Sequence, residues 1–370
     1  MEDLLQNIQP ILLMGPGPSC VAEASHAALS KPTLGHMDPY FFTIMDGIKD
    51  QLRQVFHTKN DMTFTISGTG SSGMETCFVN LIERGDKVLV LDNGAFGKRQ
   101  QEVATRLGAE VDALDGEWGQ PVLPEAVQQK LAAKKYDIVS IVHAETSTGV
   151  RSPVEEIAKL VKASGALFIV DCVTSLGCIP VTVDAWKADA VYSCSQKGLS
   201  CPPGLSPVTF SATAMAKVEG RKTKVPNWSL DLPLLKKYWE GSPRVYHHTA
   251  PANMYYALYA GLRSFLMEGE EKAFARQMTA HKQLVDGLTA MGLKLTVAEP
   301  CRLPVVNVVS IPDGINDAEV RTRLLKEFQI EIGSGLGALA GKVWRIGLMG
   351  HTSRPENVTR LLNALKTILQ

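Results

Sequence analysis

Residues 137–171 read DIVSIVHAETSTGVRSPVEEIAKLVKASGALFIVD. DIVSIV (137–142) and ALFIV (166–170) are short, rich in valine and isoleucine, and bounded by charged or glycine turns, which predicts buried strands. Between them PVEEIAKLVKASG (153–165) spaces its apolar residues as a helix does, opens on proline with two early glutamates, and closes on glycine. The alternation extends both ways. MTFTI (62–66), KVLVL (87–91) and AEVDAL (109–114) precede it, and DAVYS (189–193) and PVTFS (207–211) follow. GMETCFVNLIERG (73–85) supplies a further helix. Apolar strands alternating with helices predict a largely parallel sheet covered on both faces, and so an α/β domain.

Past residue 211 the pattern loosens. Residues 220–251 are rich in Lys, Pro, Trp and Tyr without a clean period, and read as a connecting or interface region. A long helical stretch over 253–291, strands at 305–311 and 342–347, and a helix from about 354 predict a smaller α+β unit. Two proline and glycine clusters, at 15–19 and 31–41, mark the first fifty residues as an arm-like region packed across both units. The expected division is an N-terminal arm at 1–30, a large domain at 31–252 and a small C-terminal domain at 253–370.

The composition excludes several classes. Lys plus Arg and Asp plus Glu each number 38 in 370 residues, so the net charge is zero and lacks the basic excess of a nucleic-acid binder. An apolar share of 45% with 21% charged residues is that of a globular protein. Seven cysteines lie scattered without a C-x-x-C, which argues against a disulfide framework or zinc ribbon. The N-terminal stretch has acids where a signal peptide is basic, and the chain ends in Ile-Leu-Gln, which is not a peroxisomal address. No apolar run approaches the ~20 residues of a membrane span. The expected location is the cytoplasm, with no membrane or nucleic-acid partner.

Three features could carry chemistry. SGTGSSG (67–73) joins a strand to a helix, where free backbone N–H groups, Thr69 and Ser71 suit a phosphate. Asp171 ends a strand at the sheet edge where open α/β folds bind ligands, and a buried acid there needs a cation. Lys197 sits in YSCSQKGLSCPPG, among small apolar residues, where desolvation lowers an amine's pKa and makes it a nucleophile or base. Taken singly, each has an ordinary alternative: a glycine turn, a capping aspartate, an exposed loop lysine. GTGSSG also fits the dinucleotide fingerprint, with Asp92 roughly 20 residues on as the ribose acid, so hydride transfer is a rival reading. Only the order of phosphate loop, strand-end aspartate and strand-end lysine separates the two, because a dinucleotide enzyme has no need of the lysine.

With SQKGLSCPPGLSPVTFS (195–211), RVYHHTAP (244–251), HAETSTGV (143–150), GPGPS (15–19) and GKVWRIGLMG (341–350), the chain resembles the class V aminotransferases, most closely their alanine–glyoxylate (serine–pyruvate) branch. The resemblance runs from about residue 11 to the C-terminus. It implies fold type I, with a mostly parallel seven-stranded sheet and a smaller C-terminal domain. It also implies a transaminase that uses pyridoxal phosphate in a ping-pong exchange from alanine or serine to glyoxylate or pyruvate. Ureidoglycine–glyoxylate transamination, 2-aminoethylphosphonate–pyruvate transamination and a class V lyase are the alternatives.

Residue by residue, the resemblance makes Lys197 the carrier of the cofactor as an internal aldimine and Asp171 the acid on its ring nitrogen. Val173 lies under the ring, and Thr146 beside the phenolic oxygen. Thr69, Gly70, Ser71 and Gln196 form the phosphate set. Tyr246 and Thr249 reach the phosphate of the other subunit in a homodimer. Arg345 clamps the substrate carboxylate, with Gly17 a second substrate-binding candidate. Phe96, in NGAFGKR, stands where the animal enzymes stack a tryptophan on the ring. GHMDPYF (35–41) also departs from the animal segment, which leaves the amino donor open. Cys172 reads as a small buried residue, and Cys301, the sole cysteine after Cys201, as a poor candidate for a lyase's persulfide. His247 and His248, being adjacent, are expected to point apart along an extended chain and to hold no metal.

Overall fold

A computed structural model describes residues 3–370. Seven strands form the main sheet: β1 (Met62–Ser67), β2 (Lys87–Asp92), β3 (Glu110–Asp115), β4 (Ile138–Val142), β5 (Leu167–Asp171), β6 (Ala190–Tyr192) and β7 (Leu205–Phe210). Their order is β1-β7-β6-β5-β4-β2-β3, with β7 antiparallel to both neighbours and the other pairs parallel. The central β4 and β5 are buried along their whole length, as strands covered on both faces must be. At the edge, β3 carries Glu110, Asp112 and Asp115, and such charges discourage pairing with a further strand. Lys134 and Tyr136 cap Asp112 at 2.9 and 2.7 Å.

The crossover helix Val154–Ser164 matches its expected span and ends on Gly165. The helix after the glycine loop starts earlier than its apolar period suggests, at Gly70, and stops at Leu81. The second half of SGTGSSG is therefore already helical. Several helices arise where none is expected, among them Glu23–Leu29, Ala212–Glu219 and Asp317–Phe328, and two of them bear on the site. Pro39–Phe56 is capped by Asp38, whose Oδ1 accepts from Tyr40 N at 2.7 Å, and buries Phe41, Met45, Ile48 and Leu52 in the main core. Leu232–Glu240, inside the irregular stretch, is capped by Asp231 and buries Leu235, Tyr238 and Trp239. Both start on a capping Asp, with Pro at the first or second helical position.

A three-stranded antiparallel sheet follows, ordered β8-β10-β9, from β8 (Val306–Ser310), β9 (Gly333–Ser334) and β10 (Val343–Gly347). A second apolar cluster joins Trp344 of β10 to Leu284 and Leu361 of neighbouring helices. The expected single helix over 253–291 is two, Ala252–Glu268 and Glu270–Ala290, broken at Gly269 in a left-handed φ of 82° that other residues resist. Near the N-terminus, Leu12–Leu13 pairs in parallel with Ile330–Glu331, and Leu12 and Met14 join the second cluster. A few residues on, Ser19 N–H donates to Gln196 O at 2.9 Å and its hydroxyl to Lys197 O at 2.7 Å. The N-terminal segment thus ties the lysine loop to the smaller sheet. Met1 and Glu2 lie outside the described residues. No helix among the described residues is long and apolar enough to cross a membrane.

Candidate active site

The carboxyl ends of β1, β2, β4, β5 and β6 face one edge of the sheet, and their loops surround a cavity of about 190 Å³ that opens to solvent. β1 delivers Thr69, Gly70 and Ser71; the loop after β2 delivers Phe96; β4 leads to Thr146; β5 ends in Asp171, followed by Val173; and β6 leads to Gln196 and Lys197. Residues separated by more than a hundred positions meet here because parallel strands bring their ends to one edge.

Lys197 is 8% exposed, and its Nζ donates to Pro16 O at 2.8 Å and to Thr174 Oγ1 at 3.0 Å. Burial holds its pKa below the ordinary lysine value, and the nearby Cys194 and Asp171 partly offset this. Asp171 is 6% exposed, and burial pushes its pKa up to about 6. The Val173 N–H, bonded to Oδ1 at 2.8 Å, the Tyr192 hydroxyl and the Lys197 charge oppose that rise. An acid so placed calls for a cation. Arg345 approaches from β10 with Nε on Ser334 O at 2.6 Å and Nη1 on Thr146 O at 3.3 Å. Its bonds go to carbonyls, so the fork is oriented without an acid closing on it. Gly17 borders Lys197 so closely that a side-chain carbon there would sit 2.7 Å from the lysine Cε.

Tyr246 and Thr249 are exposed and do not line this chain's own cavity. Sequence reasoning missed other residues around the cavity. Tyr192 lies beside Asp171 in the β5–β6 register and accepts from Gln100 Nε2 at 3.0 Å. Arg99 places its guanidinium 4.9 Å from the centre of the Phe96 ring. Phe96, Arg99 and Gln100 are spaced i, i+3 and i+4, so one helix face presents all three; that spacing was the available signal.

The family model described as aminotransferase class-V matches residues 22–361. The chain belongs to the class V aminotransferases. It is 40% identical to the (S)-ureidoglycine–glyoxylate transaminase of Bacillus subtilis, over 96% of this chain and 90% of that protein. It is also 40% identical to the alanine–glyoxylate aminotransferase of Rattus norvegicus, over 97% of this chain and 87% of the relative. The crystal structure of an alanine–glyoxylate aminotransferase from Nostoc sp. superposes with a TM-score of 0.97 at 46% identity, covering 100% of this chain and 97% of that one. This class V aminotransferase has fold type I and is a pyridoxal-phosphate-dependent transaminase of amino acids and 2-oxo acids.

The cavity of the aminotransferase suits that cofactor on its own features. The buried Gln196 Oε1 has no hydrogen-bond partner among the described residues. The helix Gly70–Leu81 opens without a side-chain cap; Ser72 and Gly73 N–H turn back to Thr69 O, which leaves the Gly70 and Ser71 amides at the helix start for an anion. A Cβ on Gly70 would press to 3.0 Å from Val173 Cγ2, so only glycine lets the phosphate loop pack this closely on the Val173 side of the cavity. Asp92, the ribose acid of the rival dinucleotide reading, instead binds Gly94 N–H at 2.8 Å and Lys98 at 3.1 Å. Cys301 lines a separate surface cavity with Pro300 and Leu123. The histidine pair does not point apart. The chain bends there, bringing His247 Nδ1 and His248 Nδ1 to 2.9 Å, with His247 stacked on Trp228 and His248 bonded to Ser67 Oγ at 2.7 Å.

Proposed function

We propose that this transaminase moves the amino group of alanine or serine to glyoxylate or pyruvate. The observation that carries the reading is a cavity lined by a buried amine and a buried acid, with a guanidinium held by carbonyls against its Thr146 wall. Pyridoxal phosphate, when bound, supplies a carbonyl that condenses with amines and a ring that accepts the electron pair of a substrate Cα. Lys197 would hold the cofactor and would move the proton at the substrate Cα. Asp171 keeps a proton on the ring nitrogen. Thr69, Gly70, Ser71 and Gln196 would hold the phosphate, Val173 and Phe96 would flank the ring, and Thr146 would lie beside its phenolic oxygen. Arg345 takes the α-carboxylate beside Gly17. The work is divided between a large cofactor-binding domain (31–252), a small domain (253–370) and an arm (1–30), in a cytoplasmic homodimer. A panel of alanine, serine, (S)-ureidoglycine and 2-aminoethylphosphonate against glyoxylate and pyruvate tests the substrate pair. Alanine or serine with glyoxylate should give the highest kcat/KM; a clear preference for ureidoglycine would reassign the donor to that of the Bacillus relative.

Arg345→Lys keeps the charge but loses the two-pronged donor. The expected cost is about 1.5–3 kcal/mol, the scale of a charge-assisted hydrogen bond, or roughly 10- to 150-fold in kcat/KM for donor and acceptor alike. Amines lacking an α-carboxylate should react as with wild type. An equal loss with such amines would remove Arg345 from the carboxylate role.

The exposed Tyr246 and Thr249 support an active site shared between two chains, each lending them to its partner. Mixing inactive Lys197→Ala with an inactive Tyr246→Phe/Thr249→Ala double variant under subunit exchange should restore about a quarter of wild-type activity. Random pairing makes half of the dimers mixed, each with one intact site. If exchange is demonstrated by mass and no activity returns, each chain builds its own site.

A further inference from the structure

Glu145 is fully buried, one residue before Thr146, and burial raises its pKa. A carboxylate in such a place is costly unless it accepts several hydrogen bonds. Here Oε2 accepts from Phe96 N–H at 3.1 Å, and Oε1 accepts from Ser147 N–H at 3.0 Å and from the Ser147 hydroxyl at 2.6 Å. The same hydroxyl accepts from Ala95 N–H at 2.9 Å. The helix Ala95–Arg106 has glycine at its N-cap and no cap from its own sequence. Its first two amides are therefore satisfied by a neighbouring loop, from Glu145 and Ser147. A Cβ on Gly94 would collide with the Glu145 side chain, so the fit is close.

We propose that Glu145, assisted by Ser147, is a positioning residue that sets Phe96 in place over the cofactor ring. This rests on the reading of Phe96 as the stacking residue. Because Phe96 is the second residue of a helix without a cap of its own, the place of its Cα–Cβ bond follows its backbone, and its backbone is bonded to Glu145. The segment 145–147 then links two parts of the site, since Thr146 O also accepts from Arg345 at 3.3 Å.

Equilibrium dialysis of pyridoxal phosphate from full-length holoenzyme tests this as a double-mutant cycle. Phe96→Ala should weaken retention about 5- to 10-fold, the scale of aromatic stacking. Glu145→Ala should weaken it to a similar degree, and Ser147→Ala, the milder change that keeps the acid, by about 3-fold. Glu145→Gln, which keeps an acceptor for Phe96 N–H, should recover most of the loss. In the Phe96→Ala background, neither Glu145→Ala nor Ser147→Ala should cost more than a further 2-fold. Fully multiplicative losses with both variants would overturn the positioning role while leaving Phe96 stacking intact. If Phe96→Ala alone leaves retention unchanged, the stacking reading fails and the proposal fails with it. Should Glu145→Ala not fold, the Ser147→Ala arm of the cycle decides.

Discussion

Lys197→Ala is expected to lower transamination by at least about 10⁴-fold, the combined scale of losing a covalent amine and a general base. The structure explains why no neighbour replaces it. The Nζ is buried, its contacts are Pro16 O and Thr174 Oγ1, and neither is a base or an amine. The cofactor should still be recovered with the variant, because the phosphate loop and Gln196 do not depend on the lysine. Borohydride reduction followed by mass analysis should find the cofactor joined to Lys197 in wild type and to no residue in the variant. Turnover within tenfold of wild type, or a reduced adduct at another residue, would move the chemistry away from Lys197.

Asp171→Asn is expected to act in opposite directions on catalysis and on stability. Transamination should fall by roughly 10²- to 10³-fold, because an amide cannot hold a proton on the ring nitrogen by charge. In the cofactor-free protein the sign for stability is reversed. Burial raises the folded pKa of Asp171 to about 6. Between its ordinary value near 4 and about 6 the folded chain holds a proton that the unfolded chain has released. Stability therefore falls as pH rises through that window, and the cost above it is about 3 kcal/mol. Asparagine never ionises. Cofactor-free Asp171→Asn should thus be more stable than wild type by about 2–3 kcal/mol at pH 7.5, with the difference fading near pH 4. Denaturant midpoints at the two pH values measure it. Equal midpoints at pH 7.5 would mean the carboxylate is solvated in the empty cavity. A catalytic loss under tenfold would count against its place at the ring nitrogen.

The order of SGTGSSG, Asp171 and Lys197 is legible because each sits where a buried strand ends, and such strands stand out as apolar runs. The main sheet follows for the same reason, and its seven strands fall within a few residues of their expected spans. Pro39–Phe56 is not legible beside the proline clusters, although Asp38 and Pro39 carry a helix start. The break at Gly269 is hidden because apolar spacing continues on both sides of it. His247 and His248 are misread because adjacent side chains diverge only on an extended chain, and this segment is bent by Ser67 and Trp228 beneath it.

By itself, then, the sequence determined the α/β alternation, the family, the cofactor class and the residues at the strand ends, since these depend on local pattern and chain order. Tertiary structure decided which distant groups meet them. It set Tyr192 against Asp171, carried Arg345 from the smaller sheet to Thr146 O, closed the N-terminal segment over Lys197 and put Glu145 under Phe96. Those contacts join residues 49 to 199 positions apart in three of the four cases, and no local period encodes them. They arise because burying the apolar clusters brings distant segments together, and the polar groups enclosed with them must find partners there.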